Sequence, residues 1–378
     1  MRIGIPKELR SPWGSEERRV GLSPPAVREL TAAEHELFVE SEGGKGAGFA
    51  DEEYRKAGAS VLYARDEVYK RSDLVVKVGP LVKQDWQVLR DQQTIMGFLY
   101  LEIATKELLS VLIQKKITTI GYEGIQRPDG VYPILRPMSR IAGKLAVQIA
   151  GRLLESSEFG GRGILLGGLP GIPPAEIAIL GAGILGTCAA QSFCGVGANV
   201  YVLDKDPVRL EEVEKLASGK IVTILYNRQN LRKVCRFADV LVSCVRVPHA
   251  RTPRLVTREM VKEMKKGAVI LEFSIPEGGC VETARLTPRE DYVYVEEDVL
   301  HFCVPNVPTF VARTATYALT NALLPYLLLM AEKGVKGALK ECADLRKGVQ
   351  TLDGNLTSEP ARGGELPYAE VDMLLQKE

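Results

Sequence analysis

One short segment restricts the fold of this 378-residue chain more than any other. The apolar, β-rich run Ile177–Leu180 leads directly into Gly181-Ala-Gly183-Ile184-Leu185-Gly186, which opens an apolar-faced helix. The first glycine of G-x-G-x-x-G permits a tight turn, the second lets a diphosphate approach the backbone, and the third lets helix and strand pack closely. The helix N-terminus then turns free N–H groups toward the phosphates. The segment therefore predicts a dinucleotide-binding α/β domain; a glycine-rich turn in a flavodoxin-like sheet without nucleotide is the alternative.

The strand that follows indicates which dinucleotide is bound. Asn199–Leu203 ends at Asp204, close to the ~20-residue offset at which such domains place an acidic residue on the adenosine ribose. A carboxylate there accepts hydrogen bonds from ribose hydroxyls and repels a 2′-phosphate, so the sequence favours NAD over NADP. Arg209 either approaches the ribose edge or is a solvated helix residue.

Charge and composition exclude several classes of partner. Lys and Arg number 49 and Asp and Glu 48, a net charge of +1, which does not support binding to nucleic acid or anionic lipid. The longest apolar stretch, Tyr317–Ala331, is interrupted by Asn321 and Pro325 and is too short to span a membrane. The seven cysteines show no C-x-x-C spacing, as expected in a reducing compartment without a zinc site. We expect a cytoplasmic protein that binds small molecules and copies of itself, and no metal.

Strand-like and helix-like segments alternate in two stretches, 1–137 and about 175–308, which predicts two parallel sheets with crossover helices. Long helices are predicted at Ser139–Glu155 and at Arg313–Glu332, the second ending at Gly334, and a shorter helix at Trp86–Asp91. Gly160–Pro174 is dense in glycine and proline and is interpreted as a linker that includes a hairpin.

Further segments carry a resemblance to a known family. They are Met1-Arg-Ile-Gly-Ile-Pro-Lys-Glu8, Glu17-Arg-Arg-Val-Gly-Leu-Ser-Pro24, Val75-Val-Lys-Val78, Pro137-Met-Ser-Arg-Ile-Ala-Gly143, the linker Gly160–Pro174, Leu255-Val-Thr-Arg-Glu-Met260, Glu277-Gly-Gly-Cys280, His301-Phe-Cys-Val-Pro-Asn-Val-Pro308 and Ala318-Leu-Thr-Asn-Ala-Leu-Leu-Pro325. Across nearly its whole length the chain resembles the alanine dehydrogenases and their relative, the nicotinamide nucleotide transhydrogenase alpha subunit. The linker and the late segments are more similar to the alanine dehydrogenases.

The resemblance implies two Rossmann-like, doubly wound α/β domains. A substrate domain, residues 1–137 and 309–378, is built from both chain ends, and an NAD-binding domain, residues 138–308, is inserted into it. Two long helices link the domains. The family also implies a homo-oligomer, either a dimer or a hexamer.

The same resemblance carries over substrate residues. Arg19 matches the arginine that binds the substrate carboxylate, for which its planar fork is suited; the alternative is a surface ion pair with Glu16 or Glu17. Lys77 matches the lysine near the substrate carbonyl, and burial between valines would lower its pKa and let it exchange protons; the alternative is a solvated lysine.

Other matching residues are assigned to the cofactor or to both ligands. Asn306 matches the asparagine beside nicotinamide and substrate, with a loop-capping role as the alternative. Met138 is assigned to the substrate and Ser139 and Val245 to the cofactor, although Ser139 is equally explained as the N-cap of the following helix.

Two positions depart from the family pattern. A catalytic histidine is expected after the fifth strand in a Tyr-Leu-His-Leu-Ala-like stretch, and here Gly97-Phe-Leu-Tyr100-Leu-Glu102-Ile is interpreted with Tyr100 in its place. The family aspartate before Gln-Gly-Gly-Cys is replaced by Pro276. Histidine exchanges protons near neutral pH, whereas tyrosine starts near ~10 and needs a cationic neighbour such as Lys77. The remaining histidines, His35, His249 and His301, lie in segments that do not suggest catalysis.

These departures leave three hypotheses for function. In the first, an NAD-dependent oxidoreductase transfers hydride at the α-carbon of an amino acid, 2-oxo acid or related imine other than alanine, with Tyr100 and Lys77 as catalytic residues. In the second, it is an alanine dehydrogenase with an altered proton relay. In the third, it is a non-catalytic NAD-binding subunit resembling transhydrogenase, although retention of Arg19, Lys77 and Asn306 argues against that.

Overall fold

The structure is a computed structural model that describes residues 1–11, 14, 16–156, 159–216, 221–247, 251–288, 291–357 and 366–376. Its strands are β1 (Arg2–Ile5), β2 (Glu36–Glu40), β3 (Ser60–Leu62), β4 (Leu74–Val76), β5 (Thr94–Gly97), β6 (Thr118–Gly121), β7 (Glu176–Leu180), β8 (Asn199–Asp204), β9 (Ile221–Leu225), β10 (Val240–Ser243), β11 (Val269–Glu272), β12 (Val293–Glu296), β13 (Val299–Phe302), β14 (Val349–Leu352) and β15 (Asn355–Leu356).

The α-helices are α1 (Pro24–Ala32), α2 (Asp51–Lys56), α3 (Arg65–Arg71), α4 (Lys83–Trp86), α5 (Lys106–Gln114), α6 (Leu135–Leu154), α7 (Ile184–Gly195), α8 (Pro207–Leu216), α9 (Arg228–Phe237), α10 (Arg258–Lys262), α11 (Ala312–Glu341), α12 (Ala343–Gly348) and α13 (Val371–Leu375). The chain divides into two compact units, Met1–Met138 with Thr309–Glu378, and Ser139–Pro308. The first boundary lies within α6, and the second lies in the short 3-10 helix Val307–Val311, immediately before α11.

The first unit contains an eight-stranded sheet in the order β15-β14-β6-β5-β4-β1-β2-β3. Strands β1 to β6 are parallel to one another, and β14 joins the β6 edge in an antiparallel direction. The order β3-β2-β1-β4-β5-β6 is the doubly wound arrangement of a Rossmann-like domain, in which the strand order reverses between β1 and β4. Ile3 and Ile5 are fully buried, as expected of a central parallel strand covered on both faces.

The second unit repeats this arrangement with its own sheet, ordered β12-β13-β11-β10-β7-β8-β9. All of its pairings are parallel except that between β12 and β13 at the edge. The predicted class, a mixed α/β protein with two Rossmann-like domains, is confirmed.

Some predicted segments are wrong or have shifted ends. The predicted helix Trp86–Asp91 is replaced by α4, because the Asp85 carboxylate accepts the Val82 N–H at 3.0 Å and starts the helix earlier. The second long helix is interrupted at Gly334 as predicted: the backbone of Gly334 leaves the helical path at φ 72°, and a further helical stretch follows to Glu341. In the linker, Leu169 and Ile172 form a single antiparallel bridge.

Helix α11 packs an apolar stripe into the first unit. Leu319, Leu323, Leu327 and Met330 are fully buried at helical spacing, each contributing roughly 1.5–3 kcal/mol of burial free energy. Among the described residues, only the helical stretch Val307–Glu341 is long and apolar enough to cross a bilayer by length and composition. The core helix of a globular protein satisfies the same test.

Candidate functional site

In the first unit, chemically active side chains lie just beyond the carboxyl ends of parallel strands. Glu8 follows β1, Lys77 follows β4, Tyr100 follows β5 and Glu123 follows β6. The carboxyl ends of parallel strands share one edge of a sheet, and ligands of such sheets bind there, where the strand order reverses. The topology therefore brings these four residues to the edge at which a ligand is expected.

Lys77 is a buried cation between two buried carboxylates. Its Nζ lies 3.1 Å from Glu8 Oε2 and 3.3 Å from Asp85 Oδ2, and its side chain is 1% exposed. Burial alone lowers the pKa of Lys77, but Asp85 and Glu8 outweigh it, so that the pKa lies above its usual value. The expectation of a lowered pKa is wrong, and so is the alternative of a solvated lysine. Lys77 therefore stays protonated and positively charged at neutral pH.

The partners of Lys77 are held by further contacts. Glu8 Oε1 accepts the Val78 N–H at 2.7 Å. Asp85 Oδ1 accepts the Tyr69 hydroxyl at 2.8 Å and pairs with Arg65. Burial raises the pKa of Glu8, although Lys77 opposes this. The lysine is therefore fixed from both sides, and moving it away would remove a cation from two buried carboxylates, of which Asp85 would keep Arg65.

Arg19 is buried as well, and its guanidinium is oriented by a neighbour. Nε and Nη2 donate to the two carboxylate oxygens of Glu17 at 2.8 and 2.7 Å, and Nη1 lies 3.1 Å from Met138 Sδ. Its Cζ is 5.9 Å from the centre of the Phe98 ring. Burial lowers the pKa of Arg19, but Glu17 and the hydroxyl of Tyr100 act against it and the pKa is raised. The ion pair with Glu17 exists, but in the interior and not on the surface.

Tyr100 has an unusual backbone. Its φ of 47° and ψ of 48° place it in the left-handed region, which is costly for a residue with a side chain. Its N–H donates to Glu123 Oε1 at 2.7 Å, and its ring stacks on Phe98 with centroids 6.3 Å apart. Strand β5 ends at Gly97, and Glu102 lies in the 3-10 turn Leu101–Ile103, so strand alternation does not decide where Glu102 points.

Glu123 was not identified as a site residue from the sequence, because nothing local distinguishes it. Its Oε1 accepts the N–H of Tyr100 and also Gln350 Nε2, at 2.8 Å, from strand β14. Burial, together with the nearby charge of Glu102, raises the pKa of Glu123 to about 7. A titratable group near neutral pH thus lies beside Tyr100.

The three motif glycines of the second unit have distinct environments. A Cβ on Gly186 would lie 1.9 Å from the Gly181 carbonyl oxygen, so only glycine allows the helix to pack on the turn. Gly181 has φ 111°, and a Cβ there would lie 3.0 Å from Cys244 O. A Cβ on Gly183 would meet no protein atom within 4 Å, and Gly183 is the N-cap of α7 without a side-chain cap. The backbone thus leaves room for a ligand in front of a helix N-terminus, which fits the diphosphate of NAD.

Asp204 lies at the end of β8 next to this turn. Its Oδ2 accepts the Ala182 N–H at 2.6 Å, and its Oδ1 accepts the Asp206 N–H at 2.9 Å. The carboxylate therefore braces the glycine turn, and each oxygen retains a lone pair for a ribose hydroxyl. Arg209 is exposed on α8, with Nε 3.6 Å from Asp206 Oδ2, as expected for a solvated helix residue.

The remaining cofactor candidates of the second unit, and the position of the family aspartate, lie outside the glycine turn. Val245 follows β10, and its carbonyl accepts the Ser274 hydroxyl at 2.7 Å. Pro276 lies in the 3-10 turn Ile275–Glu277 after β11, and Asn306, with φ 62°, comes shortly after β13. Ser139 lies inside α6, which begins at Leu135, so its interpretation as an N-cap is wrong.

The described histidines have structural surroundings. His301 is buried, with Nε2 2.7 Å from the Thr283 hydroxyl and Nδ1 2.9 Å from Val299 O. Nδ1 of His35 lies 3.3 Å from the nitrogen of the amino terminus, and His249 is outside the described residues.

No group of three or more His, Cys, Asp or Glu residues in the described ranges is arranged to hold a metal ion.

Two Rossmann-like units, one with a dinucleotide turn and one with buried cations at its strand ends, define an NAD-dependent oxidoreductase of two-domain construction. The chain belongs to the alanine dehydrogenase/PNT family. The family model "Alanine dehydrogenase/PNT, N-terminal domain" matches residues 4–142, and "Alanine dehydrogenase/PNT, C-terminal domain" matches residues 146–359.

Individual relatives agree with this placement. An alanine dehydrogenase of Methanococcus maripaludis is 41% identical over 380 residues, and alanine dehydrogenase 2 of Staphylococcus aureus is 38% identical over 379, each covering 100% of both chains. A solved L-alanine dehydrogenase is 39% identical, with a TM-score of 0.88 over 94% of this chain and 96% of its own. A transhydrogenase of Sinorhizobium meliloti, at 24% identity and a TM-score of 0.78 over 94% and 98%, shares the fold.

These comparisons bear on the hypotheses from the sequence. An alanine dehydrogenase-family oxidoreductase that uses NAD is confirmed. The expectation that the substrate is not alanine finds no support, because the relatives at about 40% identity are named alanine dehydrogenase.

Proposed function

We propose that this protein is an NAD-dependent amino-acid dehydrogenase that interconverts a small amino acid with its 2-oxo acid and ammonia, with alanine and pyruvate as the first pair to test. The observation that carries the proposal is the pair of buried cations in the first unit, Lys77 just after β4 and Arg19 in the loop between β1 and α1. Glu17, Glu8 and Asp85 offset the cost of burying these cations and orient them. A 2-oxo acid offers a carboxylate and a carbonyl oxygen, both of which accept hydrogen bonds from charged donors.

Arg19 is assigned to the substrate carboxylate. Glu17 occupies the Nε–Nη2 side of its fork, which directs the Nη1 side toward Met138. A thioether is a weak acceptor, and a carboxylate in that direction forms the stronger, charge-assisted bond. Met138 then borders the substrate side chain, and Glu17 keeps the guanidinium in a single orientation.

Lys77 is assigned to the carbonyl or amino group of the substrate. Because Glu8 and Asp85 keep it protonated, it donates a hydrogen bond and stabilises negative charge that develops on the carbonyl oxygen. It does not act as a base at neutral pH. Lys77 is therefore still assigned as a catalytic residue, but as an electrostatic stabiliser and not as a proton carrier.

Proton exchange is assigned to the segment after β5. Tyr100, the residue that we placed at the histidine position, lies near Arg19. Counted from the shared tyrosine of Tyr-Leu-His-Leu-Ala, however, the third residue of Tyr100–Ala104 is Glu102. Both residues are therefore assigned to proton exchange with the substrate.

The second unit is assigned to NAD through Gly181, Gly183, Ile184, Leu185 and Gly186 at the diphosphate and Asp204 at the ribose. When bound, NAD supplies or accepts the hydride. Ser139, Val245 and Asn306 are further proposed contacts, Asn306 also with the substrate, whereas Arg209 is the weakest assignment because it is exposed and lies beside Asp206.

The test is NADH oxidation, followed by absorbance, with pyruvate, glyoxylate and 2-oxobutyrate, each with and without ammonium. We expect oxidation that requires both the oxo acid and ammonium, fastest with pyruvate. A faster reaction with 2-oxobutyrate than with pyruvate would change the assigned substrate but not the class of enzyme, an amino-acid dehydrogenase. No turnover with any acid, combined with tight NADH binding, contradicts the proposal and favours the non-catalytic subunit.

We further propose a cytoplasmic homo-oligomer without nucleic-acid or membrane partners. The net charge of +1 supports the part of this proposal that concerns nucleic acid and anionic lipid, because it provides no electrostatic footprint for either. Light scattering of the purified protein tests the oligomer, and a monomer at micromolar concentration contradicts it.

A further inference from the structure

We propose that Glu123 is a positioning residue of the oxidoreductase reaction: its carboxyl holds the backbone of Tyr100, and its protonation state sets the charge beside Tyr100 and Glu102. This inference rests on the proposed function. It gives a role to a buried acid that is neither in the substrate clamp nor in the nucleotide turn.

The first argument is geometric. Glu123 Oε1 accepts the Tyr100 N–H at 2.7 Å, and Tyr100 is held at φ 47°. A backbone in this region costs about 1–3 kcal/mol and persists only where its surroundings enforce it. Here a partly buried hydrogen bond to a carboxyl enforces this backbone conformation and fixes the direction in which the Tyr100 ring leaves the chain. Loss of that bond would release the ring.

The second argument concerns the space around Glu123. A Cβ on Gly121 would lie 2.6 Å from Gln350 Nε2 and 2.7 Å from Glu123 Oε1, so glycine at the end of β6 allows the amide and the carboxyl to meet. Their hydrogen bond is 2.8 Å long and joins residues 227 positions apart. The contact is therefore a product of the β6–β14 pairing.

The third argument is an incomplete set of hydrogen bonds. Within the described residues, Glu123 Oε2 and the Tyr122 hydroxyl are buried without a hydrogen-bond partner. A buried carboxylate oxygen without a donor is costly, and protonation relieves the cost. The carboxyl therefore has a physical reason to take up a proton, and its environment opposes permanent ionisation.

The charged groups around Glu123 reinforce this. Glu102 presents a like charge from the 3-10 turn, and Tyr122 follows β6 on the same segment. Strand β14 contributes the neutral amide of Gln350, and in α12 the amine of Lys347 is bound to Gln126 Oε1 at 3.2 Å. Burial is the largest cause of the raised pKa of Glu123, about 7, and Glu102 adds to it. Glu123 therefore changes protonation within the range in which an amino-acid dehydrogenase is assayed.

The experiment is the pH profile of kcat/KM for the oxo acid from pH 5.5 to 9, in wild type and Glu123→Gln. The amide keeps an oxygen acceptor for the Tyr100 N–H but cannot ionise. We expect a wild-type inflection near pH 7 that is absent in E123Q, with kcat about tenfold lower and KM for NADH unchanged within about twofold. The control is Glu263→Gln, which removes a partly buried carboxylate paired with Arg232 and Arg236 in the second unit and should keep the wild-type profile.

A second variant covers failure of E123Q to fold. Gln350→Met removes a donor that lowers the pKa of Glu123, so the inflection should move upward by roughly half a unit or more. An inflection that stays in place in both variants, or in Q350M alone if E123Q does not fold, contradicts the inference while the proposed function stands. Absence of wild-type turnover overturns the proposed function and this inference with it.

Discussion

The guanidinium of Arg19 and the carboxylate of Glu17 form a buried, two-bond ion pair, with Nε 2.8 Å from Oε1 and Nη2 2.7 Å from Oε2. The pair forms within a three-residue stretch, and its effect is to direct the remaining side of the fork toward Met138. An arginine that binds a planar carboxylate needs such a fixed orientation, because a bidentate bond forms in one geometry.

The first prediction follows from this pair. In Glu17→Gln the guanidinium loses a charged partner and its fixed orientation, so KM for the oxo acid should rise about tenfold or more while kcat changes less. Steady-state kinetics with NADH measure this. Glu16→Gln is the matched control, because Glu16 is half-exposed and pairs with Arg18. An unchanged KM in E17Q would remove Glu17 from the substrate clamp.

The second prediction concerns Lys77. Lys77→Met should lower kcat by about 10²-fold or more, because the developing oxyanion loses its charged donor. It should also lower the free energy of unfolding at pH 7 by about 3–5 kcal/mol, since the buried carboxylates of Glu8 and Asp85 both lose this cation, although Asp85 keeps its pair with Arg65. Urea unfolding measures the second effect. Lys70→Met, at an exposed ion pair with Asp66, should change neither quantity appreciably. Wild-type turnover in K77M would refute the assigned role.

The third prediction distinguishes the glycine that leaves space for a ligand, Gly183, from the glycine that the packing of the helix requires, Gly186. Gly183→Ala adds a Cβ that meets no protein atom within 4 Å, so the free energy of unfolding should stay near wild type while NADH binding weakens about tenfold or more. Gly186→Ala adds a Cβ 1.9 Å from Gly181 O and should destabilise the second unit. NADH fluorescence titration and thermal unfolding measure the two effects. Tight NADH binding by G183A would show that the diphosphate lies elsewhere.

The fourth prediction concerns cofactor choice. Asp204→Ala removes the ribose acceptor and the charge that repels a 2′-phosphate, and it also frees the Ala182 N–H. NADH should bind about tenfold more weakly, and the NADH to NADPH preference should fall by a similar factor. Kinetics with both cofactors measure this, with Asp206→Ala as the control. Unchanged affinity for both cofactors in D204A would exclude Asp204 from the site.

The fifth prediction is a pH dependence of stability from Glu123. Its native pKa of about 7 lies above the ordinary value of 4.5, so between these pH values the native state holds a proton that the unfolded chain has released. The contribution of Glu123 to stability is therefore greatest below pH 4.5, falls as the pH rises toward 7, and is level above it. The change is about 3 kcal/mol. The measurement is the free energy of unfolding in urea for wild type and E123Q at pH 5 and pH 8. The difference, wild type minus E123Q, should be smaller at pH 8 than at pH 5 by this order. An equal difference at both pH values would refute the prediction.

Local patterns were sufficient for the nucleotide turn. The roles of Gly181, Gly183 and Gly186 depend on backbone space within a few residues, so their spacing alone predicts the turn. The strand segments Ile177–Leu180 and Asn199–Leu203 on either side of it correspond to β7 and β8. The helix expected at Trp86–Asp91 was misplaced, since the structure has α4 at Lys83–Trp86 instead.

The charge network of the first unit was decided by tertiary structure. Glu8 and Lys77 are 69 residues apart, and Glu123 and Gln350 are 227 apart; the parallel and antiparallel strand pairings bring them together. The resemblance to the alanine dehydrogenases identified Lys77 as a substrate residue, but the expectation from burial misjudged its pKa, because the pKa depends on the sign and distance of partners that sequence spacing does not specify. The chain encodes its glycine turn and the Glu17–Arg19 pair locally, whereas Glu8 and Lys77 come together only when β1 and β4 pair in the sheet.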